Sequence, residues 1–264
     1  MPPFRYLRPL EAYGRKKTAD AARTIGGKAA RLAWLIRQDM PVPRGWVLDL
    51  KPFRDLVRDR LPAGHDPHSL LRLRTGTVFH DRTARARALL LSEPVDPLLT
   101  NDLELLWELV KDDAPWGLAV RSSATCEDDD LTSMAGLATT ELGVRGGRGL
   151  GDALRSVWAS ALLPRALSYL AARGVRDIGM AVVFQVMVPA EAAGVAFTGP
   201  PEGVMDGLFQ PGEMVINAAF GLGAPVVDGA ASPDVVRVER STGRVLEYLV
   251  AEKRQALVVG PGGL

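Results

Sequence analysis

The pattern of hydrophobic and polar positions predicts a helical first part of the chain. TIGGKAARLAWLIRQDM places four apolar residues at helical spacing behind two glycines, which predicts a helix beginning near Gly27. PVPRGWVLDL then interrupts the helical pattern with prolines and a glycine, and its WVLDL portion predicts a short strand. Residues 51–112 return to helical spacing, most clearly in DRTARARALLLSE and TNDLELLWELVKD. This half of the chain is therefore expected to be mainly helical.

Strand patterns become frequent in the second half of the chain. GLAVR and TTELGV predict two strands on either side of a polar loop, and LGDALRSVWASALLPRALSYLAARG predicts a helix that Pro164 kinks or divides. Five short β-rich runs follow, separated by Gly, Pro and Asp: MAVVFQVMV, AGVAFTG, EMVINAAF, DVVRVER and RVLEYLV. These runs predict a largely antiparallel sheet. The fold class is expected to be α+β, with two parts.

Composition and charge narrow the function classes. The chain has 264 residues, of which 32 are basic and 31 acidic, so its bulk charge does not indicate a nucleic-acid partner or a polybasic membrane surface. Cys126 is the single cysteine, which favours a reducing compartment. No apolar run approaches the roughly 18 residues of a membrane span. We expect a cytoplasmic protein with no membrane contact.

The segment IGGKAARL is the first candidate for binding chemistry. Two glycines before a helix let the backbone approach a ligand closely, and a helix N-terminus favours an anion. Lys28, in the first turn, could then contact a phosphate. The spacing fits neither a P-loop nor a dinucleotide-binding fingerprint, so an ordinary glycine pair beside a solvated lysine remains an alternative.

The segment AVRSSATCEDDDLTSMAG is a second candidate. Arg121 ends an apolar strand, where its guanidinium could bind phosphate oxygens through two N–H groups. The other candidate residues are placed on the following loop, as hydroxyl donors or as small residues that leave N–H groups accessible: Ser122, Ser123, Thr125, Ser133, Ala135 and Gly136. Residues 127–130 are four acids that would repel a polyphosphate, so an acidic surface loop is the alternative.

Polar residues elsewhere in the chain indicate a binding or catalytic site less clearly. Gln185 lies among apolar residues and needs hydrogen-bond partners, for which a nucleobase edge and a structural sheet cap are both candidates. The histidines at positions 65, 68 and 80 show no metal-ligand or catalytic-triad spacing and are expected at the surface.

Taken in order, these segments resemble the ATP-binding domain of the phosphoenolpyruvate synthase and pyruvate, phosphate dikinase family, to which rifampicin phosphotransferase is similar. The resemblance rests on GGKAARL, PVPRGWVL, VRSSATCEDDDLTSMAG, SALLPRALSY, MAVVFQVMV, AGVAFTGPP and AFGLGAPVVDGAASPD, which span roughly residues 25–253. The combination of the VRSSAT segment with GVAFT is specific to this family.

The resemblance implies an ATP-grasp-like fold with two lobes that hold ATP between them. The first lobe would cover residues 1–187, with a helical part to about residue 115 and a phosphate-loop part from about residue 116. The second lobe, residues 188–264, would be partial and apparently truncated.

The resemblance also implies roles for individual residues. Lys28 and Arg121 would contact the ATP phosphates and take part in catalysis, and the Ser122–Gly136 segment would cover the phosphates. Gln185, Met187 and Val188 would lie on the adenine side. ATP and Mg²⁺ are the expected cofactors. The phosphoryl group would pass to a histidine on a separate domain, or on a separate polypeptide as partner.

Departures from the family pattern leave a second function open. Ala224 replaces the acid of the GLGE motif, Leu137 and Thr139 replace a glutamine and a glutamate, and Pro200 alters the FT-DP motif. The family's later acidic metal-binding segment and phosphohistidine domain have no counterpart in this sequence, and no metal ligand is identified. A catalytically degenerate nucleotide-binding, regulatory or partner-binding module is the alternative.

Overall fold

The computed structural model describes residues 4–126, 139–199 and 210–260. The chain divides into two compact units, Met1–Met187 (unit 1) and Val188–Leu264 (unit 2). Each unit has an antiparallel sheet in its described part. The prediction of an α+β fold is confirmed.

The sheet of unit 1 brings together strands that are far apart in sequence. Its strands are β1 Leu7–Pro9, β2 Gly45–Leu48, β3 Leu118–Ala124, β4 Thr140–Val144 and β5 Met180–Val186. They pair antiparallel in the order β1-β2-β5-β3-β4. Strand β5 therefore lies at the centre of this sheet, between β2 and β3. Grouping its sequence with the later strands was wrong, because its pairing partners precede it in the chain.

Three of the α-helices of unit 1 begin at a capping aspartate. The α-helices of this unit are α1 Thr18–Arg37, α2 Leu50–Arg60, α3 Pro67–Leu71, α4 Thr77–Ser92, α5 Pro97–Val110, α6 Gly146–Ser160 and α7 Pro164–Ala172. The carboxylates of Asp49, Asp66 and Asp96 accept the first backbone N–H groups of α2, α3 and α5. Pro164 is in the first turn of α7, so it divides the predicted helix in two.

The two faces of the unit 1 sheet pack against different helices. Alternate residues of β5, such as Val183, join a small buried cluster with Ile25 and Ala29 of α1. The intervening residues, such as Phe184, join a larger buried cluster with α2 to α7. Buried Asp102 of α5 holds β1, since its carboxylate accepts hydrogen bonds from the backbone N–H groups of residues 5–7. The sheet is thus covered on both faces.

Unit 2 is a smaller sheet of consecutive strands. The strands are β6 Ala192–Phe197, β7 Glu213–Phe220, β8 Asp234–Glu239 and β9 Val245–Leu249, paired antiparallel in chain order. A short helix, α8 Ala224–Val227, lies between β7 and β8.

A carboxylate at the start of β8 fixes the segment that follows β9. Asp234 forms a largely buried ion pair with Lys253, and it accepts hydrogen bonds from the Ala251 N–H at 2.8 Å and the Tyr248 hydroxyl at 3.1 Å. The hydrogen bond from Lys253, followed by that from Ala251, lowers the pKa of Asp234 below its usual value of 3.8.

We predict that unit 2 becomes less stable in acid as the carboxylate of Asp234 is protonated. A depressed pKa in the folded state means that the carboxylate stabilises unit 2 above its unfolded pKa, and that this contribution is lost as pH falls through the lower folded value. Asp234→Asn should therefore lower the unfolding midpoint most at neutral pH and least in acid. Denaturation followed at several pH values measures this difference, with exposed Asp228→Asn as the control for charge loss. A difference that does not change with pH would contradict the prediction.

Candidate functional site

Helix α1 is interrupted at Gly26, where it meets strand β3. Gly26 has a φ of 73° and a ψ of 167°, which divides α1 into two helical segments, residues 18–25 and 27–37. A Cβ atom on Gly26 would lie 2.1 Å from the carbonyl oxygen of Ser123. Glycine is therefore required here for both conformation and space. The glycine pair was expected to let the backbone approach a ligand, but Gly26 approaches the protein's own strand.

Ser123 connects the two segments of α1. Its hydroxyl donates to the carbonyl oxygen of Ile25 at 2.8 Å and accepts from the N–H of Ala29 at 3.0 Å. Ala29 is the third residue after the interruption, so Ser123 caps the second segment as an N-cap side chain would, although it belongs to another element. Its side chain is fully buried. The hydroxyl that was predicted to bind phosphate is therefore engaged with α1.

Hydrogen bonds orient the side chains of both Lys28 and Arg121. The Lys28 ammonium donates to the backbone carbonyl of Ser122 at 2.9 Å, and an Arg121 Nη1–H donates to Oε1 of Gln185 at 2.8 Å. Because side chains two residues apart share a face of a strand, Arg121 lies on the same face as Ser123, which contacts α1. The structure thus places Lys28 in the first turn of the second α1 segment, and Arg121 on the sheet face that α1 covers.

Ser122 lies on the opposite face of β3. It alternates with Arg121 and Ser123, and its side chain is fully buried on the face of Val120 and Ala124, which belong to the larger core cluster. Its Oγ has no hydrogen-bond partner among the described residues. The prediction that Ser122 and Ser123 lie on a loop was wrong, because β3 stays paired with β5 as far as Ala124.

Thr125 joins the end of β3 to the residue before β5. Its N–H donates to the carbonyl of Gly179 at 3.0 Å, and its hydroxyl accepts from the Gly179 N–H at 3.1 Å. This reciprocal pair extends the β3–β5 pairing by one residue. Buried Cys126 follows it. A nucleotide contact by the hydroxyls of residues 122, 123 and 125 stays a prediction.

The residues expected on the adenine side end β5 and begin unit 2. Gln185 is 5% exposed, and its Nε2 donates to the carbonyl of Pro43 at 3.2 Å. The Met187 N–H donates to the carbonyl of Gly117 at 3.2 Å, and Val188 is the first residue of unit 2 and is exposed. Contact of these residues with a base stays a prediction.

Several predicted residues lie outside the described part of the chain. They are Ser133, Ala135, Gly136, Leu137, Pro200 and the acids at 127–130. Within the described ranges, no three His, Cys, Asp or Glu residues form a group that could hold a metal ion. In the same ranges, no helix is long and apolar enough to cross a membrane.

The arrangement defines a class of site. A lysine in the first turn of a helix segment and an arginine on the sheet face that this helix covers are each oriented by a hydrogen bond, and the partial positive charge of the helix N-terminus adds to that of the lysine. Such a face in an α+β protein is suited to an anionic ligand such as a phosphate chain.

The family model of the pyruvate phosphate dikinase AMP/ATP-binding domain matches residues 22–263. The chain belongs to this family, which confirms the resemblance read from its motifs.

Named relatives resemble the chain along most of its length. The chain is 32% identical to the phosphoenolpyruvate synthase of Aeropyrum pernix, over 92% of this chain and 30% of that protein. It is also 32% identical to a probable phosphoenolpyruvate synthase of Methanothermobacter thermautotrophicus, over 89% of this chain and 34% of that protein. A rifampicin phosphotransferase of a Streptomyces species is 32% identical over 90% of this chain and 27% of that protein. The chain thus spans about a third or less of these relatives.

We predict that Gly26→Ala destabilises unit 1 by about 3 kcal/mol or more, because a strained backbone and a forced contact each cost about 1–3 kcal/mol. Gly174→Ala is the control for a positive φ without a close contact. Gly174 also has a positive φ, of 77°, but a Cβ there would meet nothing within 4 Å. Conformational strain alone should cost about 1–2 kcal/mol. Chemical denaturation of both variants measures the difference, and equal losses would show that the Ser123 contact is unimportant.

Proposed function

We propose that this chain binds ATP through the face of unit 1 that carries Lys28 and Arg121. The observation that supports the proposal is that Lys28 lies in the first turn after the interruption of α1 and Arg121 on the sheet face that α1 covers, with a hydrogen bond that orients each of them. Membership of an AMP/ATP-binding domain family selects a nucleotide polyphosphate among anionic ligands.

In this proposal the residues divide into contacting and supporting groups. Lys28 and Arg121 contact phosphate oxygens, and Arg121 offers the planar fork that suits them. Ser123 fixes the helix segment that carries Lys28, and Thr125 fixes the end of β3. Ser133 and Gly136 remain candidates for covering the phosphates, and Met187 and Val188 for contacting adenine. We further propose that units 1 and 2 belong to the two lobes of an ATP-grasp-like fold.

We propose that the bound ATP serves phosphoryl transfer to a histidine on a separate domain or polypeptide. The support is the similarity to phosphoenolpyruvate synthases and to a rifampicin phosphotransferase, of which this chain covers about a third or less. Mg²⁺ is expected from the family. Because the described residues show no acidic cluster that fits a metal, we assign no residue to hold it.

A catalytically degenerate nucleotide-binding module is the second candidate. Ala224, at the first position of α8, stands where the family has an acid, and Thr139 stands where it has a glutamate. Both candidates predict ATP binding, but this one predicts no phosphoryl transfer. Release of phosphate, or labelling of a phosphohistidine domain supplied from a relative, separates them.

We predict that Lys28→Met and Arg121→Met each weaken ATP binding by about tenfold or more. Hydrogen bonds to charged groups contribute about 1.5–3 kcal/mol, and about 1.4 kcal/mol corresponds to tenfold in affinity. Isothermal titration with ATP and Mg²⁺ measures the effect. Lys17→Met, which removes an exposed lysine just before α1, is the matched control and should bind like the unsubstituted protein.

Two results would contradict the proposal. One is that the unsubstituted protein does not bind ATP at millimolar concentration. The other is that both variants bind ATP as tightly as the Lys17→Met control while remaining folded.

A further inference from the structure

The side-chain amide of Gln185 connects Arg121 to a neighbouring loop. Its Oε1 accepts a hydrogen bond from Nη1 of Arg121 at 2.8 Å, and its Nε2 donates to the carbonyl oxygen of Pro43 at 3.2 Å. The residue is 5% exposed. Both ends of the amide are therefore engaged with the protein in a nearly water-free position.

The pairing of β3 with β5 explains why these side chains meet. Arg121 lies opposite Val183, and Gln185 lies opposite Ala119, so Arg121 and Gln185 are diagonal neighbours on one face of the sheet. Diagonal neighbours in antiparallel strands are within reach of long side chains. The contact is thus set by the register of the sheet.

The two partners also fix the orientation of the amide. Pro43 offers a carbonyl, which only accepts, and Arg121 offers N–H groups, which only donate. Rotating the amide by half a turn would place its NH₂ against the guanidinium and its oxygen against the carbonyl of Pro43. Gln185 therefore presents its oxygen to Arg121 in one defined direction.

We infer that Gln185 is a positioning residue, which holds the guanidinium of Arg121 for contact with the ligand's phosphates and does not read the nucleobase. This inference rests on the proposed function. A base edge would have to compete with Arg121 and Pro43 for the same amide groups, which are already paired and buried. Loss of the amide should then act through Arg121 alone.

The test compares Gln185→Met, Arg121→Met and the double variant in binding ATP, inorganic tripolyphosphate and adenosine. Methionine keeps the length of glutamine but cannot hold the guanidinium. We expect Gln185→Met to weaken binding of ATP and of tripolyphosphate by similar factors, about fivefold to tenfold as for the loss of one hydrogen bond, and to leave adenosine binding unchanged. In the Arg121→Met background the same substitution should have no further effect on ATP.

The opposite pattern would overturn the inference. Weaker binding of ATP and adenosine, with tripolyphosphate unaffected, would make Gln185 a base-reading residue, as would an effect that adds fully to that of Arg121→Met. A loss of folding in Gln185→Met would appear as a lower unfolding midpoint and as equal losses for all three ligands, which also contradicts a positioning role.

A ligand-free measurement separates this inference from the proposed function. Nitrogen NMR of the Arg121 guanidinium should show slow rotation in the unsubstituted protein and faster rotation in Gln185→Met. That result would support the hydrogen-bonded positioning even if the protein failed to bind ATP, in which case only the proposed function would be wrong. Equal rotation in both proteins would overturn the inference.

Discussion

The contact between Gly26 and Ser123 is the constraint on which the candidate site depends. It lets the backbone of α1 touch β3, so that one buried hydroxyl can bond to both helical segments, at Ile25 and Ala29. That contact fixes where the second segment begins and therefore where Lys28 is held. A side chain at position 26 would separate helix and strand, and the lysine would lose its bond to the Ser122 carbonyl.

Because side chains alternate between the two faces of β3, neighbouring residues of this strand have different contacts. In the run of residues 121–123, the first and third face α1 and the second faces the large core. A motif that reads as one phosphate-binding stretch thus combines a candidate ligand contact, a core residue and a helix cap. Cations oriented in this way would lose less conformational entropy on binding an anionic ligand.

The sequence predicted which segments form helices and strands better than it predicted which of these segments contact one another. Periodicity indicated α4 to α7, and proline chemistry explained the division at Pro164, because both are local effects. Local sequence patterns did not indicate the short strand β1, the helical residues before Gly26 or the central position of β5 in its sheet, because these features depend on contacts between distant residues. Lys28 and Ser122 are 94 positions apart, and no local pattern shows that they touch. The motifs and the family resemblance indicated the cations, whereas the hydrogen bonds of Ser123 to α1 and of Gln185 to Arg121 required the structure.

Binding and transfer make different demands on this face. Cations that contact phosphates in the ground state and in the transition state alike hold the nucleotide without accelerating its reaction. Acceleration requires groups placed where charge develops, together with an acceptor within reach. Lys28 and Arg121 therefore fit both an active phosphotransferase module and a binding module. Ala224 and Thr139 bear more directly on the choice, because each is an uncharged residue at a position where the resemblance to the family implies a carboxylate.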